Sequence, residues 1–318
     1  MPSNRVSILT VAALSGALLA ACSRPPPAAT AEPAPTAATA ATPAPSAADT
    51  GAFAFRIGAL EAYALKDGDI DVANDGKTFA IGEPAEQVAA LLTAAGQPTD
   101  TLHLSIQPLL VRSGDRTLLF DTGAAGVSFA RAGRLPAALK AAGVEPAQVS
   151  DIFISHAHPD HVGGLRASDG ALAFPNAVVH LSRPEWEALK GDAGNAALVA
   201  AIAPKVQAFE PDAAILPGLV DAVAVDGHTP GHSAYRIASG DQRLLYLGDT
   251  AHHFVISVQR PEWTVDYDRD ATLAEASRRA LLQRAVDEDM HVYAVHFPFP
   301  GLGRIKRQGE GFAWAPDR

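Results

Sequence analysis

A single cysteine, Cys22, occurs in 318 residues. That excludes an intrachain disulfide and any zinc finger built on cysteine pairs. Basic residues are also scarce, with 25 Lys and Arg against 35 Asp and Glu and a net charge of −10. A nucleic-acid binder needs a basic stripe to meet phosphates, so that class is excluded too. Only 19% of the chain is charged, whereas 48% is hydrophobic, enough for a buried core and too much for a disordered protein. The run of apolar and small residues from Val6 to Ala21 is too short and Ala-rich to read as a membrane-spanning helix. No internal repeat points to a solenoid.

Arg5 is the one charge before that run, which ends Leu19-Ala20-Ala21-Cys22. A positive start, a short apolar stretch and small residues at its end describe a secretory signal peptide over residues 1–21. The ending resembles the bacterial lipobox, which implies cleavage before Cys22 and lipidation of its thiol. Ser23 at the next position implies, by the same resemblance, an outer-membrane anchor facing the periplasm of the cell envelope. Residues 22–50 form an expected tether: Pro25 to Thr50 holds 7 Pro and 11 Ala in 26 residues and has little to bury. Contact with the membrane is then through the N-terminal lipid only. Arg5 and Arg24 cancel Glu32 and Asp49, so the expected globular body, residues 51–318, carries the whole −10.

The body mixes strand and helix signals. Phe53 to Leu65 alternates loosely and then meets the turn Lys66-Asp67-Gly68. Leu102 to Val111 and Thr117 to Phe120 read as a hairpin around Ser113-Gly114-Asp115. Leu135 to Ala142 reads as a helix, with Pro136 in its first turn and Gly143 just past its end. Asp151 to Ser155 and Ala177 to Leu181 read as short buried strands. Ser182 to Glu185 has capping-box spacing and predicts a helix carrying Trp186 and Leu189. Ser233 to Ala238 and Arg243 to Leu247 read as paired strands, Ala271 to Val286 as a helix and His291 to Val295 as the last strand. The mixture predicts an α/β fold.

His156-Ala157-His158-Pro159-Asp160-His161 follows the 151–155 strand directly. Imidazole nitrogen and carboxylate oxygen suit zinc and similar divalent ions. His156 and His158 project to one side in extended backbone, and Pro159 bends the chain so that Asp160 and His161 reach a second point. One loop can therefore serve two metals. Three further groups lie at expected strand ends: His228 and His232 in Asp226-Gly227-His228-Thr229-Pro230-Gly231-His232, Asp249 in Gly248-Asp249-Thr250, and His296. Spacing alone leaves His228 and His232 as alternatives. His103, His180 and His291 sit in strand-like contexts and read as packing or surface residues.

This set resembles the metallo-β-lactamase superfamily, and Asp121-Thr122-Gly123 matches that superfamily's early, structural Asp motif. The resemblance implies a four-layer αβ/βα sandwich holding two divalent ions, zinc above all. It implies one ion on His156, His158 and His228, a second on Asp160, His161 and His296, and Asp249 bridging both. It also settles the choice at the H-T-P-G-H segment on His228. The Gly58 to Gly68, Phe120 to Gly126, Phe174 to Val179 and His296 to Gly303 segments resemble the organophosphate-cleaving branch typified by methyl parathion hydrolase, which implies a homodimer. The expected reaction is cleavage of an ester-type bond by a hydroxide held between the metals, with Asp160 steering its proton. The expected partner is a small-molecule ester or lactone.

Lactonases of the superfamily often carry a Tyr three residues after the bridging Asp, and the phosphotriesterase branch carries an apolar residue. His252 stands there, either as a donor to a leaving oxygen or as a residue that only lines the cleft. Phe129, Trp186 and Phe254 are candidate walls of an apolar cleft. Organophosphate triester hydrolysis is the leading expectation and lactone opening the alternative. A β-lactamase is disfavoured by Asp249, and a metal-binding lipoprotein without catalysis is the non-enzymatic alternative.

Overall fold

The computed structural model describes residues 50–317. The expected signal segment, nearly all of the tether, and Cys22 lie outside the described residues. In chain order the strands are β1 (Ala52–Ile57), β2 (Leu60–Leu65), β3 (Gly68–Ala73), β4 (Thr101–Ile106), β5 (Leu109–Ser113), β6 (Arg116–Phe120), β7 (Asp151–Phe153), β8 (Val178–Ser182) and β9 (Val206–Phe209). They continue with β10 (Ala214–Leu216), β11 (Val220–Ala224), β12 (Ser233–Ser239), β13 (Gln242–Tyr246), β14 (His291–Tyr293), β15 (Leu302–Gln308) and β16 (Gly311–Pro316). The helices used below are α1 (Ala85–Ala94), α2 (Leu135–Ala141), α3 (Pro159–Val162), α4 (Arg183–Gly191), α5 (Ala196–Ile202), α6 (Ile256–Gln259) and α7 (Ala271–Asp287).

One sheet has the order β1-β2-β5-β6-β7-β8-β9, the other β10 through β16 in sequence, and β3 and β4 form a separate hairpin. Alternation along the strands makes four layers. Leu118, Phe120 and Phe153 point into the space between the sheets, against Tyr235, Tyr246 and Tyr293. Leu119, Ile152 and Ile154 point the other way and pack under α2, α4 and α5. On the second sheet Leu245 and Leu247 face outward onto Leu281, Leu282 and Ala285 of α7. The period of two fixes the side each residue takes. Each fully buried large side chain contributes about 1.5–3 kcal/mol. The expected sandwich is therefore the observed one.

Three elements differ from expectation. Leu102 to Val111 is not one strand, because the ladder breaks at Gln107-Pro108: β4 pairs with β3, and β5 pairs with β2 and β6. Pro108 has no N–H for a ladder, and the Gln107 side chain turns aside to donate to the Ala294 and Phe297 carbonyls at 2.8 and 3.0 Å. The strand at His291 ends at Tyr293 and is not the last, since β15 and β16 follow as an antiparallel pair. The capping box at α4 is half formed. Ser182 Oγ accepts from the Glu185 N–H at 3.3 Å, but the Glu185 carboxylate is engaged elsewhere.

Strand direction brings the polar loops together. β6, β7, β8 and β9 are parallel, as are β13 and β14. Asp121 and the His156 loop follow the carboxyl ends of β6 and β7, while Asp249 and His296 follow β13 and β14. His228 precedes β12, which runs antiparallel to β13, so it reaches the same edge. Carboxyl ends of parallel strands are where such folds form their clefts.

Candidate metal centre

Two groups of potential ligands converge on this edge: His156, His158, His228 and Asp249, and beside them Asp160, His161 and His296. In the first, His228 Nε2 lies 3.2 Å from both His156 Nε2 and His158 Nδ1. Nitrogens bound at about 2.0–2.1 Å to a tetrahedral ion stand about 3.3 Å apart, so these contacts match the edges of a coordination tetrahedron. Asp249 Oδ2 lies 3.7 and 3.6 Å from His156 Nε2 and His228 Nε2. Its other oxygen lies 3.1 Å from both His161 Nε2 and His296 Nε2. Asp160 Oδ2 is 3.6 and 3.5 Å from those same two nitrogens. Asp249 thus presents one oxygen to each group.

The surrounding hydrogen bonds fix which nitrogen is free. His161 donates through Nδ1 to Asp121 Oδ2 at 2.7 Å, His228 to Asp268 Oδ1 at 2.9 Å, and His296 to the Ser105 carbonyl at 2.7 Å. Ser155 Oγ donates to Asp121 at 2.7 Å and so accepts from His156 Nδ1 at 3.1 Å. Each of these imidazoles therefore directs Nε2, the nitrogen not used in these hydrogen bonds, at the centre, the arrangement metal sites require. Asp121, expected to be structural, is a hub, taking hydrogen bonds also from the Ser155 N–H and the Tyr246 hydroxyl, both at 2.7 Å. Asp268 is held by Arg278, which is 1% exposed and donates to it at 2.6 Å.

The residues fit divalent ions. His161 Nε2 and Asp249 Oδ1 are buried without a hydrogen-bond partner, which is costly unless a cation satisfies them. Burial works against charge on His161, yet Asp249, Asp160 and Asp121 outweigh it and hold its imidazole well above the ordinary value. The point asks for positive charge. His156, by contrast, is pushed well below the ordinary value by burial and then by His161, so it is neutral and free to ligate.

His232 stands outside both groups. Its Nε2 accepts the Asp249 N–H at 2.9 Å and so orients the bridging residue. Gly248, at φ +52°, permits that approach, since a Cβ there would lie 2.5 Å from His232 Nε2. His180 binds Asp151 at 2.9 Å, and exposed His103 binds Asp71 at 2.6 Å. His291 lies 3.5 Å from Asp317, so none of the three reaches the centre.

The two groups open into a cleft of ≈ 500 Å³. Ile70 and Val72 of β3, Leu104 of β4 and Phe129 form apolar walls around His158, Asp160, Asp249, His252 and His296. Phe129 is 51% exposed at the mouth. Trp186 and Phe254 do not line it. Trp186 packs into the helix layer, with Lys190 over its ring at 5.5 Å, and Phe254 packs edge-on against Phe297 and Trp314. Tyr267 also faces the cleft, its ring 5.6 Å from that of His252. It lies in the polar run Asp266 to Asp270, which gives no periodic signal. His252 is 1% exposed, with Nε2 3.2 Å from Asp249 Oδ2. That approach is poorly aligned, and neither ring nitrogen has a hydrogen bond among the described residues.

A four-layer sandwich with a seven-residue His/Asp cluster at its edge defines a metallo-hydrolase. The chain belongs to the metallo-β-lactamase superfamily, whose family model matches residues 104–296. Curated relatives include a probable metallo-hydrolase of Mycobacterium tuberculosis, 25% identical over 240 residues, 60% of this chain and 74% of the relative. Among solved structures, the dizinc quorum-quenching lactonase AidC, in complex with the product N-hexanoyl-L-homoserine, is 29% identical with a TM-score of 0.79. The match covers 84% of this chain and 98% of AidC. The hydrolase AbOPH of the β-lactamase superfamily is 28% identical with a TM-score of 0.77, over 85% of this chain and 98% of that one.

Proposed function

We propose that the protein is a dinuclear zinc hydrolase that opens lactones in its apolar cleft, with aryl phosphotriesters as a second, weaker substrate class. The observation that carries this reading is His252: a buried imidazole at the cleft beside Asp249, with no well-aligned hydrogen bond to either ring nitrogen among the described residues. A lactone expels an alkoxide, a poor leaving group that gains from a hydrogen-bond donor. A nitrophenolate leaving from a phosphotriester needs no such help. Likeness to AidC, a dizinc lactonase, supports zinc and the lactone together.

His156, His158 and His228 would hold one ion, Asp160, His161 and His296 the other, and Asp249 would link them. When bound, the ions supply a hydroxide nucleophile near neutral pH and stabilise negative charge on the attacked carbonyl. Asp249 would set the distance between the two positions, and the His232 imidazole holds its backbone N–H in place. Asp160, at the cleft wall, would steer the nucleophile's proton. Burial lowers the His252 pKa, so the ring is neutral at pH 7 and acts as a hydrogen-bond donor to the ring oxygen as it leaves. Ile70, Val72, Leu104 and Phe129 hold the apolar part of the substrate and exclude water from it.

A substrate panel tests this. Acyl-homoserine and aliphatic lactones, a paraoxon-type triester and a chromogenic cephalosporin are compared by kcat/KM with the zinc-loaded protein. Lactones should lead. A triester leading by tenfold or more, with lactones near background, overturns the reading in favour of the organophosphate branch.

A further inference from the structure

We propose that Glu185 is a positioning residue that clamps the two loops of the first metal site together, and that its loss weakens that site far more than the second, whose Asp160 and His161 share one of those loops but take no bond from Glu185. Glu185 is 2% exposed, and its oxygens accept backbone N–H groups rather than a Lys or Arg. Oε1 takes the N–H of Ala157 at 2.8 Å, and Oε2 takes the N–H of Gly231, also at 2.8 Å. Ala157 is the residue between His156 and His158. Gly231 lies in the turn that follows His228. One carboxylate therefore spans the two loops that supply all three imidazoles of the first group, and it touches neither Asp160, His161 nor His296.

The grip on the second loop is double. Ser182 Oγ, at the start of α4, donates to the Gly231 carbonyl at 2.6 Å while Glu185 takes the Gly231 N–H. The fit admits only glycine, since a Cβ on residue 231 would meet Ser182 Oγ at 2.3 Å and the Glu185 nitrogen at 2.4 Å. A buried carboxylate without a basic partner is expensive. Two charge-assisted hydrogen bonds offset part of that cost, and a divalent cation held between the clamped loops offsets more. The short contacts from His228 to His156 and His158 are contacts between these two loops, so the clamp sets them.

The inference rests on the reading of the cluster as a metal centre, and the test separates the two. Zinc affinity is measured by chelator competition in two backgrounds, His296→Ala, which leaves the first site, and His158→Ala, which leaves the second. Glu185→Gln is added to each. In any orientation the Gln amide nitrogen faces one of the two N–H donors, so one loop loses its acceptor. The expected result is a 10- to 100-fold weaker Kd in the first background, the usual cost of losing a residue that orients ligands, and less than threefold change in the second. Amide exchange at Ala157 or Gly231 should accelerate in step. Glu185→Asp, which keeps the charge but reaches only one loop, is the substitute if the Gln variant fails to fold. Equal weakening in both backgrounds, or none in either, overturns the proposal while leaving the metal centre intact. Wild-type protein that binds no zinc overturns both.

Discussion

At the scale of single residues, two histidines near Asp249 have different duties. His252→Leu should reduce kcat/KM for an aliphatic lactone by about 10²-fold, within the range for losing a proton or hydrogen-bond donor. Hydrolysis of a nitrophenyl phosphotriester should be unchanged or improved by the more apolar wall. Equal losses on both substrates would reduce His252 to lining. His228→Ala should remove one zinc per chain by mass-spectrometric metal analysis. His232→Ala should retain both ions while lowering kcat, because Asp249 loses the acceptor for its N–H. The reverse pattern would exchange the roles argued from the 2.9 Å contact.

The candidate ligands were legible in the sequence because metal coordination is a short-range demand. Four of them fall within six consecutive residues, and the others sit beside glycine or at a strand end. The resemblance, not spacing, separated His228 from His232. The walls were not legible. Trp186 looked like a cleft aromatic, but its helix turns it toward the sheet. Tyr267, Ile70 and Leu104 reach the cleft through tertiary contacts that no local pattern encodes.

Among elements, β6, β7 and β8 are tied by one side chain. Asp151 on β7 accepts from Arg116 on β6 at 2.9 and 3.0 Å and from His180 on β8 at 2.9 Å. Burial works to raise its carboxyl, but hydrogen bonds from His180, Ser150 and Arg116 outweigh that and hold it below the ordinary value. A carboxyl depressed in the folded state adds stability above its unfolded pKa, about 3.9, and loses it as pH falls through the folded value. Asp151→Asn should therefore cost about 2–3 kcal/mol near neutral pH and flatten the acid end of the Tm–pH curve. A variant that keeps the wild-type acid slope would show that Asp151 is not its source. Strand existence was readable here from short β-branched runs. The break at Pro108 is not readable because alternation runs straight through it, and the β15–β16 hairpin is not readable because Lys306, Arg307 and Gln308 make the exposed end of β15 look like a polar loop.

For the molecule as a whole, ligands come from loops of both sheets, so bound ions join the two halves of the sandwich. Ion binding at a thousandfold excess over Kd adds about 4 kcal/mol per site. Chelation should then lower Tm by roughly 10 °C or more, given about 2–4 °C per kcal/mol for a body of this size. A Tm indifferent to chelator and to added zinc would contradict the centre. The anchor is a separate matter of sequence. We propose that Cys22 carries a lipid, so Cys22→Ser should lose incorporation of a fatty-acid analogue and leave the membrane fraction. Equal labelling of both proteins would dispose of it. Among the described residues no helix is long and apolar enough to cross a membrane.

The first sheet is assembled entirely from chain that precedes the second, and the connection between them is made once, between β9 and β10. The His156 to His161 loop therefore leaves the ribosome well before His228 and Asp249, and His296 follows only near the carboxyl terminus. A growing chain carries a half-built, histidine-rich loop whose partners His228, Asp249 and His296 are still to be made. Neither ligand group can be completed before the second sheet is made, the first waiting on His228 and Asp249 and the second on His296.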